Sequence, residues 1–140
     1  CHWLGDKLGE RIFLPTEQQW QRAAQGDDGR TYAWGSTWDE ARCNHSRKIG
    51  QTTPVRQYEG LGDSPFGVVD MTGNVWEWCS TAYDTGSIAL EGDAWRVLRG
   101  GSWTDSRDGL RAAYRLLNAP VLRSSLNGVR CARSPERSEG

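Results

Sequence analysis

Apolar residues fall into a regular period in only a few stretches of this chain, and those stretches fix the first predictions. Leu14-Pro15-Thr16-Glu17-Gln18-Gln19-Trp20 spells a helix start. Thr16 stands as N-cap, Gln19 three residues on closes a capping box, and Glu17 suits the positive end of the helix dipole. Trp20, Ala23 and Ala24 then share one face, so the helix runs to about Gln25, where Gly26 ends it. Farther along, Val75 and Glu77 alternate against Trp76 and Trp78, which predicts a strand within Gly73–Cys79 with both indoles on one side. A monomer does not leave such an aromatic face open, so both rings are expected to be covered. Arg96–Arg99, Leu110–Arg115 and Val129–Arg133 are further short strand candidates, and Thr37–Ala41 is expected to add one helical turn. From Cys43 to Pro65 the chain is rich in Gly, Pro, Ser and Thr without apolar patterning, an irregular stretch that needs packing or an ion to hold it. The polar tail 134–140 is expected to be disordered.

The region from Arg96 to Arg133 behaves differently. A frame of Trp, Gly and Arg, reading Arg96-Val97-Leu98-Arg99-Gly100-Gly101-Ser102-Trp103 at one end and Gly128-Val129-Arg130-Cys131-Ala132-Arg133 at the other, encloses residues that obey neither the helix nor the strand rule. A fixed scaffold carrying arbitrary side chains is what a recognition surface requires. Arg99, Arg111, Arg115, Arg123 and Arg130 are expected to tie its loops through charge-assisted bonds to carbonyls and carboxylates.

Composition narrows the function classes. At 140 residues the chain has the length of one domain. Hydrophobic content of 36% and a mean hydropathy of -0.71 make its core economical, and eight Trp against two Phe and one Met organise that core around indoles. A net charge of -1 gives no electrostatic footprint for nucleic acid. No apolar run approaches the ~18 residues of a membrane span, and no charged-then-apolar leader opens the chain. The abrupt start at Cys1-His2-Trp3-Leu4 reads as the middle of something larger. Cys1, Cys43, Cys79 and Cys131 form no Cys-x-x-Cys pair, and His2 and His45 are too few for a histidine metal site. Reduced thiols in a cytoplasmic protein are the expectation.

Taken in order, Leu14–Trp20, Tyr32-Ala33-Trp34-Gly35, Thr53-Pro54-Val55, Phe66–Trp78, Val97–Trp103 and Gly128–Cys131 resemble the formylglycine-generating enzyme (sulfatase-modifying factor) family. The resemblance implies an α+β, C-type-lectin-like fold over residues 1–133, loop-rich, with small twisted antiparallel sheets and one or two helices. Family members carry a further N-terminal segment, of which Cys1-His2-Trp3 looks like the end. Fold does not carry function, so the site is compared residue by residue. The enzymes place two copper-binding cysteines where this chain has Asp105 and Leu110. A carboxylate and an isobutyl group cannot supply two soft thiolates, so no catalysis is expected. Cys131 matches a structural cysteine that in some relatives pairs with the counterpart of Cys1. Iron-dependent sulfoxide synthases share the domain but keep their histidines elsewhere, and His45 beside Asn44 reads as a solvated or capping residue.

A second branch, the variable proteins of diversity-generating retroelements, is more similar. There, adenines of a template are randomised, and an Asn codon of the AAC type cannot become Lys, Glu, Gln, Met or Trp. The segment 104–127 contains none of these five. The resemblance therefore implies a ligand-binding variable protein whose surface is Thr104, Asp105, Ser106, Gly109, Tyr114, Leu116, Leu117, Asn118, Val121, Leu122, Ser124, Ser125, Leu126 and Asn127. A protein or peptide is the expected ligand, with aromatic and aliphatic anchors. For Val121, and for the spacer Leu110, burial in the core is the open alternative. No cofactor is required. The resemblance also places a structural calcium at Asp70 and Glu77 with the carbonyls of Gly73 and Val75; turn capping and a salt bridge are the other reading of those carboxylates. A second family calcium site would use Asn44 and the His45 carbonyl, but its carboxylate position falls near Arg47. Two other functions stay open: an oxidoreductase whose active residues lie outside this chain, and a sensor domain of a larger signalling protein.

Overall fold

The computed structural model describes residues 1–134. Thr16 caps the helix as its sequence dictates: its hydroxyl accepts from the Gln19 N–H at 3.2 Å and the Gln19 side chain accepts from the Thr16 N–H at 2.9 Å. In chain order the elements are α1 (His2–Leu8), β1 (Ile12–Phe13), α2 (Glu17–Gln25), β2 (Trp76–Ala82), β3 (Arg96–Arg99), β4 (Leu116–Asn118), β5 (Asn127–Gly128) and β6 (Ala132–Arg133). Four strands form one sheet in the order β4-β3-β2-β5, antiparallel except for the parallel β2–β5 pair. β1 and β6 pair antiparallel, which brings the two ends of the described chain together. There the Cys1 and Cys131 thiols stand 3.5 Å apart, within hydrogen-bonding reach and without a disulfide between them.

α2 packs on the β2–β3 face through Trp20 and Ala24, which meet Ala33, Met71, Cys79, Val97 and Ala112 in the main core. The buried Trp20 indole donates to Glu77 Oε2 of β2 at 2.6 Å, so its polar atom is satisfied inside the core. A second cluster joins Tyr32, Cys43 and Leu110, flanked by Trp34 and Trp38. Between these clusters the chain turns at Gly100 and Gly101, both with positive φ (98° and 76°). A Cβ on Gly101 would run into the Leu110 side chain, so only glycine lets the backbone pass there.

Several expectations change. Leu110–Arg115 is not a strand: Leu110 and Ala112 plug into the core, the Ala112 N–H donates to the Thr31 carbonyl at 2.8 Å, and the strand forms one step later as β4. Of Val129–Arg133 only Ala132–Arg133 is strand, as β6; β5 ends at Gly128, and Arg130 beyond it turns in to bond Glu77. The strand read in Gly73–Cys79 starts later, at Trp76, and runs on to Ala82; Trp76 is buried and Trp78 half-buried. Thr37–Ala41 makes no helix, only a turn closed by the Arg42 N–H on the Asp39 carbonyl. The stretch 43–65 is irregular as expected, and a side-chain knot holds it: Asn74 Oδ1 accepts the Thr53 N–H at 2.9 Å, and Asn74 Nδ2 donates back to the Thr53 carbonyl. Neither α1 nor β1 is anticipated by the pattern. Of the tail 134–140, Ser134 is held by its N–H on the Arg11 carbonyl, and 135–140 lie outside the described residues.

Candidate functional site

The segment 104–127 leaves the Gly100-Gly101 turn, dips once into the core at Leu110 and Ala112, pairs as β4 with β3, and returns to β2 at Asn127. Those fixed points decide where its other residues go. Ser106, Tyr114, Val121, Leu122, Ser124 and Ser125 are exposed; Thr104, Asp105, Gly109, Leu116, Leu117, Asn118, Leu126 and Asn127 are half-buried. None of the fourteen is buried. The two positions left open at the sequence separate cleanly, Val121 being 83% exposed and Leu110 fully buried. The Tyr114 ring lies 5.8 Å from Trp76, so the exposed tyrosine stands on a covered indole.

Asp105 departs from the surface assigned to it. Its Oδ2 accepts the Trp76 indole N–H at 3.0 Å, the Ser102 N–H at 2.9 Å and the Ser102 hydroxyl, while its carbonyl accepts the Ser46 N–H at 2.9 Å. A side chain with that many partners joins three segments and is part of the frame. Asn127 is likewise tied through its backbone register with Trp76. The Ser46 and Arg47 contribution, with the Arg47 N–H on the Trp103 carbonyl at 2.7 Å, has no signal in the sequence because it is made by backbone.

Three of the five arginines act as anchors. Arg99, fully buried, donates from Nη1 to Glu17 Oε1 and to the carbonyls of Ala113 (3.0 Å) and Tyr114 (3.3 Å), and from Nη2 to Gln21. Burial pulls its pKa down, and the Glu17 carboxylate opposes that. Arg115 grips the same Glu17 with Nε and Nη2, which raises its pKa, and it stacks 4.3 Å over the Tyr83 ring. Arg130 pairs with both Glu77 oxygens and reaches the Val69 carbonyl at 2.9 Å. Among the described residues the exposed Arg111 hydrogen-bonds the nearby Asp108 carbonyl from its Nε and lies 6.0 Å over the Tyr114 ring, and Arg123 is exposed; for these two the expected tying role is corrected. Glu17, read from the sequence as a helix-dipole residue, is the missed member of the site.

Asp70, Gly73, Val75 and Glu77 do gather at the edge of one open cavity of about 610 Å³. They do not fit a calcium cage. Glu77 Oε2 is taken by Trp20 and Arg130 and Oε1 by Arg130, all at 2.6–2.9 Å, while the Gly73 carbonyl accepts the Val75 N–H at 3.0 Å. A guanidinium already neutralises the carboxylate a cation would need. Asp70, with a left-handed backbone (φ 58°), accepts from Asn74 Nδ2, and burial pushes its carboxyl up to about 6 against the pull of Arg130. The turn-capping and salt-bridge alternative is therefore the arrangement found. At the second position Asn44 bonds Gln51 and Asn74 through Nδ2, and the His45 ring meets Ser46, the Glu40 carbonyl and the edge of Trp38. Among the described residues no three His, Cys, Asp or Glu side chains converge on a metal position, and no helix is long and apolar enough to cross a membrane.

A helix-backed twisted sheet, long loops pinned by interior arginines and a second small sheet joining the ends together define a C-type-lectin-like α+β domain. Residues 1–135 match the sulfatase-modifying factor enzyme 1-like domain, and the chain belongs to that family. It is 38% identical to the serine/threonine-protein kinase Pkn1 of Chlamydia trachomatis over 94% of this chain and 22% of that protein. It is 33% identical to the inactive C-alpha-formylglycine-generating enzyme 2 of Bos taurus, over 100% of this chain and 48% of that one. Among solved structures it is similar to Treponema denticola variable protein 1, with a TM-score of 0.74 and 30% identity over 90% of this chain and 49% of that one. The chain thus spans half or less of the length of these relatives.

Proposed function

We propose that this domain recognises a protein or peptide ligand through the segment 104–127 and carries out no catalysis. One observation carries the reading: none of the fourteen candidate positions is buried, whereas Ser102, Leu110 and Ala112 within and beside them are. Side chains that contribute little to the core can vary without unfolding it. Similarity to a variable protein and to an inactive enzyme homologue supports the same reading. So do the two positions that match the copper cysteines, since Leu110 is sealed in the core and Asp105 is consumed by Trp76 and Ser102. Simultaneous randomisation of Ser106, Tyr114, Val121, Leu122, Ser124 and Ser125 should give libraries whose members mostly keep their Tm within about 5 °C, each surface change being worth about 0.5 kcal/mol or less. General unfolding of such variants overturns the proposal, as does oxygen consumption by the copper-loaded protein. Sequence reads of the locus add a second arm: substitutions confined to the candidate positions, beside a reverse transcriptase gene, support diversification.

A second reading, a sensor domain of a signalling protein, is favoured by the similarity to Pkn1, which covers nearly the whole of this chain. It keeps the same surface but requires the 104–127 sequence to be invariant across isolates.

A further inference from the structure

Between the irregular β2–β3 connection (83–95) and the displayed segment lies an apolar pocket of about 250 Å³. Leu14, Trp78, Leu90, Pro120 and Val129 form its walls, with the buried Cys79 thiol behind them. Burial pushes Cys79 up to about 12, so the thiol there is neutral. The one charged residue on the wall is Arg96 of β3. It is only 5% exposed, its Nη1 donates to the Ser80 carbonyl at 2.9 Å, and its Nη2 is buried with no partner among the described residues. Three residues on in the same strand, Arg99 is buried against Glu17. Among the described residues Arg96 has no such counter-charge.

A buried guanidinium without an anion bears the full desolvation penalty of its charge, and its planar fork of donors matches a carboxylate. Apolar walls around one polar group is also the ordinary make-up of a small-ligand site. We propose that this pocket binds a small organic acid with an apolar body, its carboxylate on Arg96 and its hydrocarbon against Trp78, Leu90, Pro120 and Val129. The volume lies just below the usual range of ~300–1,000 Å³ for ligand sites, which selects a short alkyl or single-ring acid over a nucleotide. Leu90, half exposed on a connection without regular structure, is the wall that yields to admit it. The site stands apart from the display reading, because it needs no position of 104–127 to vary.

Titration of the 15N-labelled protein with phenylacetate and hexanoate, and with their neutral amides, tests this at the Trp78 indole and Arg96 side-chain signals. The acids should give saturable shifts confined to the pocket, and the amides should bind roughly tenfold more weakly or worse. Val129→Trp, at an exposed position on the rim, should fill the mouth and abolish the response while the rest of the spectrum stays folded. Arg96→Lys, which keeps the charge but loses the fork, should weaken the acids selectively. Equal response to acid and amide, shifts scattered over the surface, no saturation, or unchanged binding in Val129→Trp would each overturn the proposal.

Discussion

Glu17 holds two guanidiniums at once, one fully buried on Arg99 and one part-exposed on Arg115, and so fastens helix, sheet and the segment 104–127 at a single point. Removing one partner of a buried pair leaves the other charge stranded, which is worse than losing the bond alone. Glu17→Gln should therefore cost about 3 kcal/mol or more in urea unfolding, against roughly 1 kcal/mol for an ordinary hydrogen bond; a loss near the smaller figure would refute the anchoring role. Asp70 works in the opposite direction. Its folded pKa of about 6 stands above the ordinary 3.8, so between those values the native state holds more protons than the unfolded chain. Stability contributed by this group is then present at low pH and lost as pH rises through about 6. Asp70→Asn, which tolerates the left-handed backbone, should raise Tm at pH ~7.5 and change little at pH ~4. A Tm lowered at neutral pH, with calcium stabilising only the parent protein, would instead restore the cation reading. At this scale the sequence showed which residues are present but not which carboxylate meets which arginine, since Glu17 and Arg99 lie far apart along the chain.

Elements whose determinants are local were legible. The capping box, the Trp20 face and the Gly26 stop delimit α2 as read, because each of those signals acts within one or two turns. β3 was legible for its unbroken apolar pair between arginines, and it is buried throughout. Leu110–Arg115 misled because its alternation is real but serves two buried plugs instead of a strand, and β4 exists only because β3 offers it an edge. The arginine roles follow the same division. Arg111→Ala should change stability by about 0.5 kcal/mol or less, since its contacts among the described residues are to neighbouring groups on the surface, whereas Arg115→Ala should lose clearly more by freeing Glu17 and Tyr83. Equal effects in thermal unfolding would mean that the loop, and not the ion pair, sets the anchor.

For the molecule as a whole, the buried core and the exposed candidate positions are spatially separated. The core is built from Trp20, Met71, Val97, Leu98, Leu110 and Ala112, and the exposed tips between 104 and 127 stand outside it. The family and the helix α2 were determined by the sequence itself, because motif and capping are properties of short stretches. The tertiary structure alone decided that Asp105 is tied to Trp76 and Ser102, that Glu77 pairs with Arg130, and that Arg96 lines an apolar pocket with no counter-charge among the described residues. Each of those depends on which distant groups share a low-dielectric space, and only the folded packing brings them within bonding distance.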